Sequence, residues 1–142
     1  MEKQKVLFVC VENACRSQMA ESFANALGGE IVEAYSAGSN PASRINPDAV
    51  KVMQEAGIDI GNRRCKGFKD LAVRDFDYVV TMGCDDICPF VPALRHIEWD
   101  IEDPKGGSIY FFRAVRDKIE KKVKALLRLI IALERPGKIG RT

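Results

Sequence analysis

The stretch at residues 6–27, VLFVCVENACRSQMAESFANAL, begins as a short apolar run and ends as a helix-forming segment. Val6 to Val9 are four apolar residues after a charged lead, which predicts a buried strand. Arg16 to Leu27, followed by two glycines, is typical of a helix. A single turn carrying Cys10 and Arg16 joins the two elements. The predicted inward-facing residues of this helix are Met19, Phe23, Ala26 and Leu27.

Further strands and helices alternate along the rest of the chain. Segments 31–36, 77–82 and 94–100 are predicted strands. Asn46-Pro47 is typical of the start of a second helix, and a third, longer helix is predicted from Ser108 to Glu134. This alternation predicts a small, doubly wound α/β fold, with a four-stranded parallel sheet and helices on both faces. We expect residues 1–142 to form a single catalytic domain. The apolar residues expected to face inward are Ala49, Val50, Met53 and Ala56 on the earlier helix, and Phe111, Val115, Ile119, Val123, Leu126, Ile130 and Ile131 on the longer one.

Composition excludes several function classes. A formal net charge of +2 in 142 residues does not favour nucleic-acid binding. The longest apolar stretch, ALLRLIIAL, contains Arg128 and is too short to span a bilayer, and no signal peptide is evident. We therefore expect a cytoplasmic protein with no membrane or nucleic-acid partner. Five cysteines are an odd number, which disfavours a full disulfide framework and favours redox, nucleophilic or metal chemistry.

The loops after the predicted strands contain the residues capable of chemistry. In open parallel sheets, ligands bind beyond the carboxyl ends of the strands. The loops that follow the first, third and fourth strands read CVENACRS, GCDDICP and IEDPKGG. The functional site is therefore expected where these three loops meet.

The first loop is predicted to bind an oxyanion beside a nucleophilic thiol. A loop that leads into a helix directs backbone N–H groups and the positive end of the helix dipole into one concavity. The guanidinium of Arg16 suits two oxygens of a tetrahedral oxyanion. This positive surrounding, with the Ser17 hydroxyl as donor, favours the thiolate of Cys10. The alternative is that Cys10 only fills the core. Glu12 brings a carboxylate close to the anion site, and its side chain is expected to point outward.

The Asp103-Pro104 pair predicts a general acid. A leaving oxygen needs a proton, and a carboxylic acid facing the anion loop could supply it. Pro104 restricts Asp103 to extended conformations, which would aim the side chain. The alternative is an ordinary surface turn, because Asp-Pro and Gly-Gly are common turn material.

Cys84 and Cys88 lie on the loop after the third strand, and residues alone leave their role open. The pair could bind zinc, although His96 and Cys65 are poorly spaced to complete such a site. The two thiols could be inert packing, or they could be redox-active. No role is evident for Cys65.

The segment VLFVCVENACRSQMAE resembles the active-site segment of the thioredoxin-coupled arsenate reductases, which share their fold with the low-molecular-weight protein tyrosine phosphatases. The resemblance continues through YSAG, NPDAV, GIDI, VVTMGCDDICP and WDIEDPKG. It implies that Cys10 is the nucleophile and Asp103 the general acid. The oxyanion-binding loop that it implies comprises Val11, Glu12, Asn13, Ala14, Cys15 and Arg16.

Electron balance separates the two activities of these relatives. Hydrolysis of a phosphate ester needs one thiolate, an acid and water, whereas reduction of arsenate to arsenite needs two electrons and therefore a second thiol. By resemblance, Cys84 resolves the Cys10 adduct and Cys88 presents the final disulfide to thioredoxin or a similar dithiol reductant. The sequence departs from the usual reductase pattern at Gly83, where a cysteine would stand.

The predicted function is therefore an arsenate reductase. The alternative is a low-molecular-weight phosphatase that hydrolyses phosphomonoesters. Phosphatases of this kind follow Asp-Pro with aromatic residues, whereas Lys105 and two glycines follow here. A rival from another class is a non-catalytic oxyanion sensor or metal-binding regulator. In the phosphatases, a cysteine placed like Cys15 can form a protective disulfide with the nucleophile.

Some of these reductases hold a potassium ion near the loop. Asn13, Glu21 and Ser36 match three of its ligands, but Lys66 stands at or near the position of the fourth, an aspartate. We therefore expect no potassium requirement, no other metal and no cofactor.

Overall fold

A computed structural model of the chain describes residues 2–83 and 91–134. Every predicted strand and helix is present, with ends that differ by a few residues, and a short 3-10 helix at Phe68–Asp70 was not predicted. The elements, in chain order, are strand β1 (Gln4–Cys10), helix α1 (Arg16–Gly28), strand β2 (Val32–Gly38), helix α2 (Pro47–Glu55), strand β3 (Phe76–Thr81), strand β4 (Ala93–Glu98) and helix α3 (Ile109–Glu134).

The four strands form one parallel sheet in the order β2-β1-β3-β4. Leu7 of β1 is in register with Tyr35 of β2 on one side and with Val79 of β3 on the other. The chain therefore leaves β1 towards one edge of the sheet and later returns to the other side of β1. This reversal opens a crevice beyond the carboxyl end of β1, where open parallel sheets bind their ligands.

The two faces of the sheet bury two separate apolar clusters. Val6 and Phe8 of β1 pack on the face that is covered by α1, α2 and α3. Leu7 and Val9 pack on the opposite face, where the described cover includes the short 3-10 helix at Phe68–Asp70 and the residues that follow it. All four of these β1 side chains are 1% exposed or less. The parallel sheet with its helices confirms the predicted fold class.

The buried face of α1 differs from the prediction at its carboxyl end. Met19 and Phe23 are buried as expected, but Ala26 and Leu27 are exposed. The helix instead presents Gly28 to α3, where a side chain on that glycine would place its Cβ 2.5 Å from Cδ2 of Leu127. The close packing of α1 against α3 at Gly28 therefore determines which face of α1 is buried. The apolar periodicity also predicted that Ala56 and Ile131 face inward, but both are exposed.

Helix α2 begins as the sequence predicts and is tied to α3 by charge. Asn46 is the N-cap, since its side-chain oxygen accepts a hydrogen bond from the backbone N–H of Asp48 (2.8 Å), and Pro47 is the first helical residue. Glu55 at the other end accepts hydrogen bonds from Arg113 and Arg116 of α3, both at 2.8 Å.

In the described part of the chain, none of the helices combines the length and the apolar character that a membrane span requires.

Candidate active site

The loop from Val11 to Cys15 connects β1 to α1, and its carbonyl groups face away from the crevice. The segment after β2 holds them there through three backbone hydrogen bonds, from Asn40 to Val11 (2.8 Å), from Ala42 to Glu12 (3.0 Å) and from Asn46 to Ala14 (2.9 Å). Gly38 allows this approach, because a Cβ there would lie 2.5 Å from the Val11 carbonyl oxygen. Within residues 2–83 and 91–134, no protein atom accepts a hydrogen bond from the backbone N–H groups of residues 12–16. These donors therefore stay available for an anion.

Cys10 stands at the bottom of this loop, next to a hydroxyl group. Its side chain is 2% exposed, and its Sγ lies 2.9 Å from Oγ of Ser17 in the first turn of α1. The amide nitrogen of Asn13 donates a hydrogen bond to that same Oγ (2.7 Å). When Cys10 is a thiolate, the Ser17 hydroxyl is the donor of the pair and the Asn13 amide keeps its oxygen in place. The arrangement stabilises negative charge on sulfur.

Asn13 organises the loop from a buried position. Its backbone has φ +53°, in the left-handed region that asparagine tolerates better than most residues. Its side-chain oxygen accepts hydrogen bonds from Nε2 of Gln18 and from the backbone N–H of Lys66, both at 2.8 Å. Gln18 also donates to the carbonyl of Arg64 (2.9 Å). The Gln18 side chain and the Lys66 backbone thus fix Asn13 and, with it, the loop. No pattern in the sequence indicated this role of Gln18.

Arg16 is buried and is held by the loop that carries the candidate acid. Its Nη1 donates to the carbonyl oxygen of Ile101 (3.0 Å), and its Nη2 lies 3.7 Å from Oδ2 of Asp103. Gly83, with φ +75°, passes close by, and a Cβ there would meet Nη1 at 2.6 Å. One terminal nitrogen of the guanidinium is therefore bonded to a backbone carbonyl, while the other lies next to Asp103 at the pocket.

The extension of the sheet brings the Asp103 loop to the anion loop. Beyond the strands, the backbone N–H of Met82 donates to Val9 and that of Trp99 to Thr81, both at 2.8 Å. The chain then reaches Asp103, whose side chain is 49% exposed and lies at the pocket. Its Oδ1 accepts a hydrogen bond from the backbone N–H of Lys105 (3.1 Å). The carboxyl group predicted to act as an acid therefore lines the same pocket as the predicted nucleophile.

A salt bridge joins the anion loop to the Asp103 loop. Nζ of Lys105 lies 2.9 Å from one carboxylate oxygen of Glu12 and 3.2 Å from the other. The Glu12 side chain is 34% exposed and the Lys105 side chain 59%. The hydrogen bond that Lys105 donates to the Glu12 carboxylate raises the pKa of Lys105 above its ordinary value. Glu12 was expected to point outward; it points across the pocket mouth to a partner that the sequence did not indicate.

The two cysteines of the loop differ in their surroundings. Burial raises the pKa of the Cys15 thiol above its ordinary value, and the negative charges of Cys10 and Asp103 raise it further, against a smaller opposing effect of Arg16. Cys15 is therefore a neutral thiol at physiological pH. Cys65 is partly buried, and burial raises the pKa of its thiol too. Among the three cysteines that the structure describes, Cys10 is the one whose sulfur has both a hydroxyl donor and the anion loop around it.

Six of the predicted site residues line one small pocket, whereas Val11, Asn13 and Ser17 do not line it. It has a volume of about 20 Å³, close to the room that a single water molecule needs. Cys84 and Cys88, the predicted relay thiols, lie outside the described residues. The pocket is lined by Cys10, Glu12, Ala14, Cys15, Arg16, Asn46, Asp103 and Lys105.

The residues that match potassium ligands do not fit a potassium ion here. Glu21 pairs with two cations, since its carboxylate lies 2.9 Å from Nη1 of Arg63 and 3.6 Å from Nζ of Lys66. Ser36 donates a hydrogen bond to Glu21, and Lys66 lies 3.4 Å from the same hydroxyl. The Lys66 ammonium therefore stands among the oxygens that would bind the ion. Within the described part of the chain, no group of three or more histidine, cysteine, aspartate or glutamate side chains is placed to hold a metal.

The fold and this loop place the chain in a known class of oxyanion-binding proteins. The chain belongs to the low molecular weight phosphotyrosine protein phosphatase family, whose model matches residues 5–136.

Several similar proteins within that class bear reductase names. The glutaredoxin arsenate reductase of Synechocystis is 38% identical over 130 residues, covering 89% of this chain and 98% of the relative. The thioredoxin-dependent arsenate reductase of Corynebacterium glutamicum superposes with a TM-score of 0.78 at 35% identity, over 93% of this chain and 64% of that one. An arsenate reductase solved in its phosphate-binding state gives a TM-score of 0.79 at 35% identity, over 89% of this chain and 98% of that one.

Proposed function

We propose that this chain reduces arsenate to arsenite, with Cys10 as the nucleophile. The observation that carries the proposal is the position of the Cys10 sulfur, 2.9 Å from the Ser17 hydroxyl at the base of a loop whose N–H groups are unpaired within the described residues. That loop suits a tetrahedral oxyanion. The similarity to arsenate reductases over nearly the whole chain supports arsenate as the substrate.

In the first step, the Cys10 thiolate attacks arsenic while the loop N–H groups and Arg16 bind the other oxygens. A sulfur–arsenic bond forms and an arsenic–oxygen bond breaks. Asp103, in its protonated form, gives its proton to the departing oxygen, which leaves as water. No electrons have yet been transferred, so arsenic remains pentavalent.

The second step reduces arsenic. The thiolate of Cys84 attacks the Cys10 sulfur, a disulfide forms, and the electron pair of the sulfur–arsenic bond stays on arsenic, which leaves as arsenite. Cys88 then attacks Cys84, which frees Cys10 and leaves a Cys84–Cys88 disulfide. The roles of Cys84 and Cys88 rest on the resemblance of the segment, since neither lies in the described residues.

An external dithiol must reduce that final disulfide. Similar proteins carry two different reductants in their names, glutaredoxin for the Synechocystis relative and thioredoxin for the Corynebacterium one. We assign thioredoxin or a similar dithiol protein to this chain, because an internal Cys84–Cys88 disulfide needs a two-electron donor. A reducing compartment such as the cytoplasm would keep five cysteines in the thiol form.

Phosphomonoester hydrolysis is the second candidate function, because the family model describes a phosphotyrosine phosphatase. The same loop and acid could cleave an ester through a Cys10 phosphoenzyme. The residues after Asp103 argue against a preference for aromatic esters. Lys105 and two glycines follow Pro104, and all three are exposed, so they offer no apolar wall for an aromatic ring. Aryl phosphate turnover by a Cys84→Ser/Cys88→Ser variant measures this activity without the relay.

Coupled turnover tests the proposed reductase. With thioredoxin, thioredoxin reductase and NADPH present, arsenate should drive NADPH oxidation and arsenite should accumulate in equal amount. Cys10→Ser should abolish both signals. Cys65→Ser is the matched control, since Cys65 is a partly buried thiol outside the pocket, and it should retain at least half of the activity. Phosphate release from aryl phosphates without arsenate reduction would assign the chain to the phosphatases instead.

A further inference from the structure

The salt bridge between Glu12 and Lys105 crosses the mouth of the pocket that holds Cys10. Glu12 belongs to the anion loop and Lys105 follows the candidate acid by two residues, so the pair joins loops that are 93 positions apart in sequence. Lys105 makes two contacts at once, because its ammonium binds Glu12 while its backbone N–H donates to Asp103 (3.1 Å). Both side chains line the pocket.

The direction of the reaction determines what must pass this mouth. Attack by sulfur requires the leaving oxygen to stand on the far side of the central atom from Cys10. Asp103 is placed to protonate that oxygen, so the oxygen must approach the Asp103 carboxyl group. In arsenate the leaving oxygen carries at most a proton. In a phosphomonoester it carries the whole organic group, which has to leave the pocket through the space next to Asp103.

Lys105 and Glu12 occupy that space. The backbone N–H of Lys105 is bonded to the Asp103 carboxylate, and its side chain extends from there to the opposite loop. The pocket beneath has a volume of only about 20 Å³. An inorganic oxyanion needs only a small displacement of the bridge to enter, whereas an ester requires the bridge to stay open for the whole reaction.

We propose that the Glu12–Lys105 bridge determines substrate preference, favouring small inorganic oxyanions over phosphomonoesters. This inference rests on the proposed oxyanion chemistry of Cys10. The bridge also explains why a carboxylate is tolerated on an anion loop: Lys105 neutralises Glu12, so its charge does not repel the substrate. Glu12 and Lys105 thus select the substrate without taking part in the chemical steps.

Two kinetic constants, measured on the reduced full-length protein, test the proposal. The first is kcat/KM for p-nitrophenyl phosphate, and the second is the inhibition constant of inorganic phosphate against that reaction. The double variant Glu12→Ala/Lys105→Ala removes the bridge and both of its charges. It should raise kcat/KM for the ester by about tenfold while changing the inhibition constant of inorganic phosphate by less than about threefold. Each single variant leaves one unpaired charge that acts on ester and phosphate alike, so in each of them the ratio of ester turnover to phosphate affinity should rise by about tenfold.

Lys124→Ala is the matched control. Lys124 forms a surface salt bridge with Glu120 (3.1 Å) whose exposed fractions, 51% and 32%, are close to those of the bridge. This variant should leave both constants unchanged. A ratio of ester turnover to phosphate affinity within threefold of wild type in both single variants overturns the proposal, as does a loss of ester turnover in the double variant. These constants do not require arsenate reduction, so failure of the proposed reductase would be seen separately in the arsenite assay.

Discussion

The Cys10 sulfur lies 2.9 Å from the hydroxyl oxygen of Ser17, and the same hydroxyl accepts a hydrogen bond from the Asn13 amide at 2.7 Å. The Asn13 donor leaves the Ser17 proton free to point at the sulfur. In the proposed reaction, the nucleophile is therefore activated by a hydroxyl and an anion loop. The chain's one histidine, His96, has its ring nitrogen 2.7 Å from the carbonyl oxygen of Val91 and does not line the pocket.

Ser17→Ala removes that hydroxyl and should slow arsenate reduction. A hydrogen bond to a charged group is worth about 1.5–3 kcal/mol, which corresponds to roughly a tenfold to hundredfold loss of rate. The rate of thiol loss in a single turnover measures it. Ser22→Ala is the control, because Ser22 is a buried serine of the same helix that donates to the Gln18 carbonyl instead. Equal rates for the two variants would show that the Ser17 hydroxyl does not activate Cys10.

Asp103→Asn leaves the loop intact but removes the acidic proton. General acid catalysis contributes about 10²–10⁴-fold, so turnover should fall by at least a hundredfold while binding of inorganic phosphate is retained. Steady-state arsenite formation and a phosphate titration measure the two effects. Glu102→Gln changes the adjacent exposed carboxylate and should keep normal turnover. Full activity in Asp103→Asn would move the acid role to another group.

The wild-type protein should work equally well in potassium and in sodium. Lys66 already brings an ammonium to within 3.6 Å of Glu21 and 3.4 Å of Ser36. Rates in matched KCl and NaCl buffers should agree within about twofold. Lys66→Ala vacates this position, so its melting temperature should become higher in KCl than in NaCl. A collapse of wild-type activity on exchanging potassium for sodium would contradict this assignment.

Glu55 should make part of the stability depend on acid pH. Hydrogen bonds from Arg113 first, and then from Arg116, lower the pKa of Glu55 from its usual 4.5 to about 2. A lowered pKa in the folded state means that the stabilisation is complete above pH 4.5 and is lost as the pH falls from 4.5 to 2. Urea unfolding of wild type should therefore show a falling free energy across that range.

The free energy of unfolding of the Glu55→Gln variant should fall less over the same pH range, because the variant has no carboxylate at this position to protonate. Glu98 is an exposed glutamate of β4, and the free energy of unfolding of a Glu98→Gln variant should fall as that of the wild type does. Parallel curves for wild type and Glu55→Gln would show that this contact between α2 and α3 does not contribute to acid stability.

Local chemistry made much of the fold and site predictable. Cys10 and Arg16 stand on one turn between a buried strand and a helix, and Asn46-Pro47 caps α2 as its sequence indicates. Such signals act over a few residues, so they are visible in the sequence. The Asp103 loop reaches the anion loop because parallel strands end at one edge of the sheet, which the predicted fold already implied.

Contacts between distant segments were not predictable. The exposure of Leu27 follows from the close approach of α3 at Gly28, which depends on how two helices pack. The partnership of Glu12 with Lys105 joins positions 93 apart, and nothing near either residue indicates the other. Gln18 looked like an ordinary helical residue, yet it fixes the Asn13 side chain.

The most direct test of the central claim counts thiols. The protein is fully reduced, freed of reductant and given arsenate, with phosphate as the control, and its free thiols are then titrated under denaturing conditions. An internal relay predicts the loss of about two thiols per chain, because one disulfide forms for each arsenate reduced, and Cys10→Ser should abolish the loss. An unchanged thiol count with arsenate would contradict the relay and the roles assigned to Cys84 and Cys88.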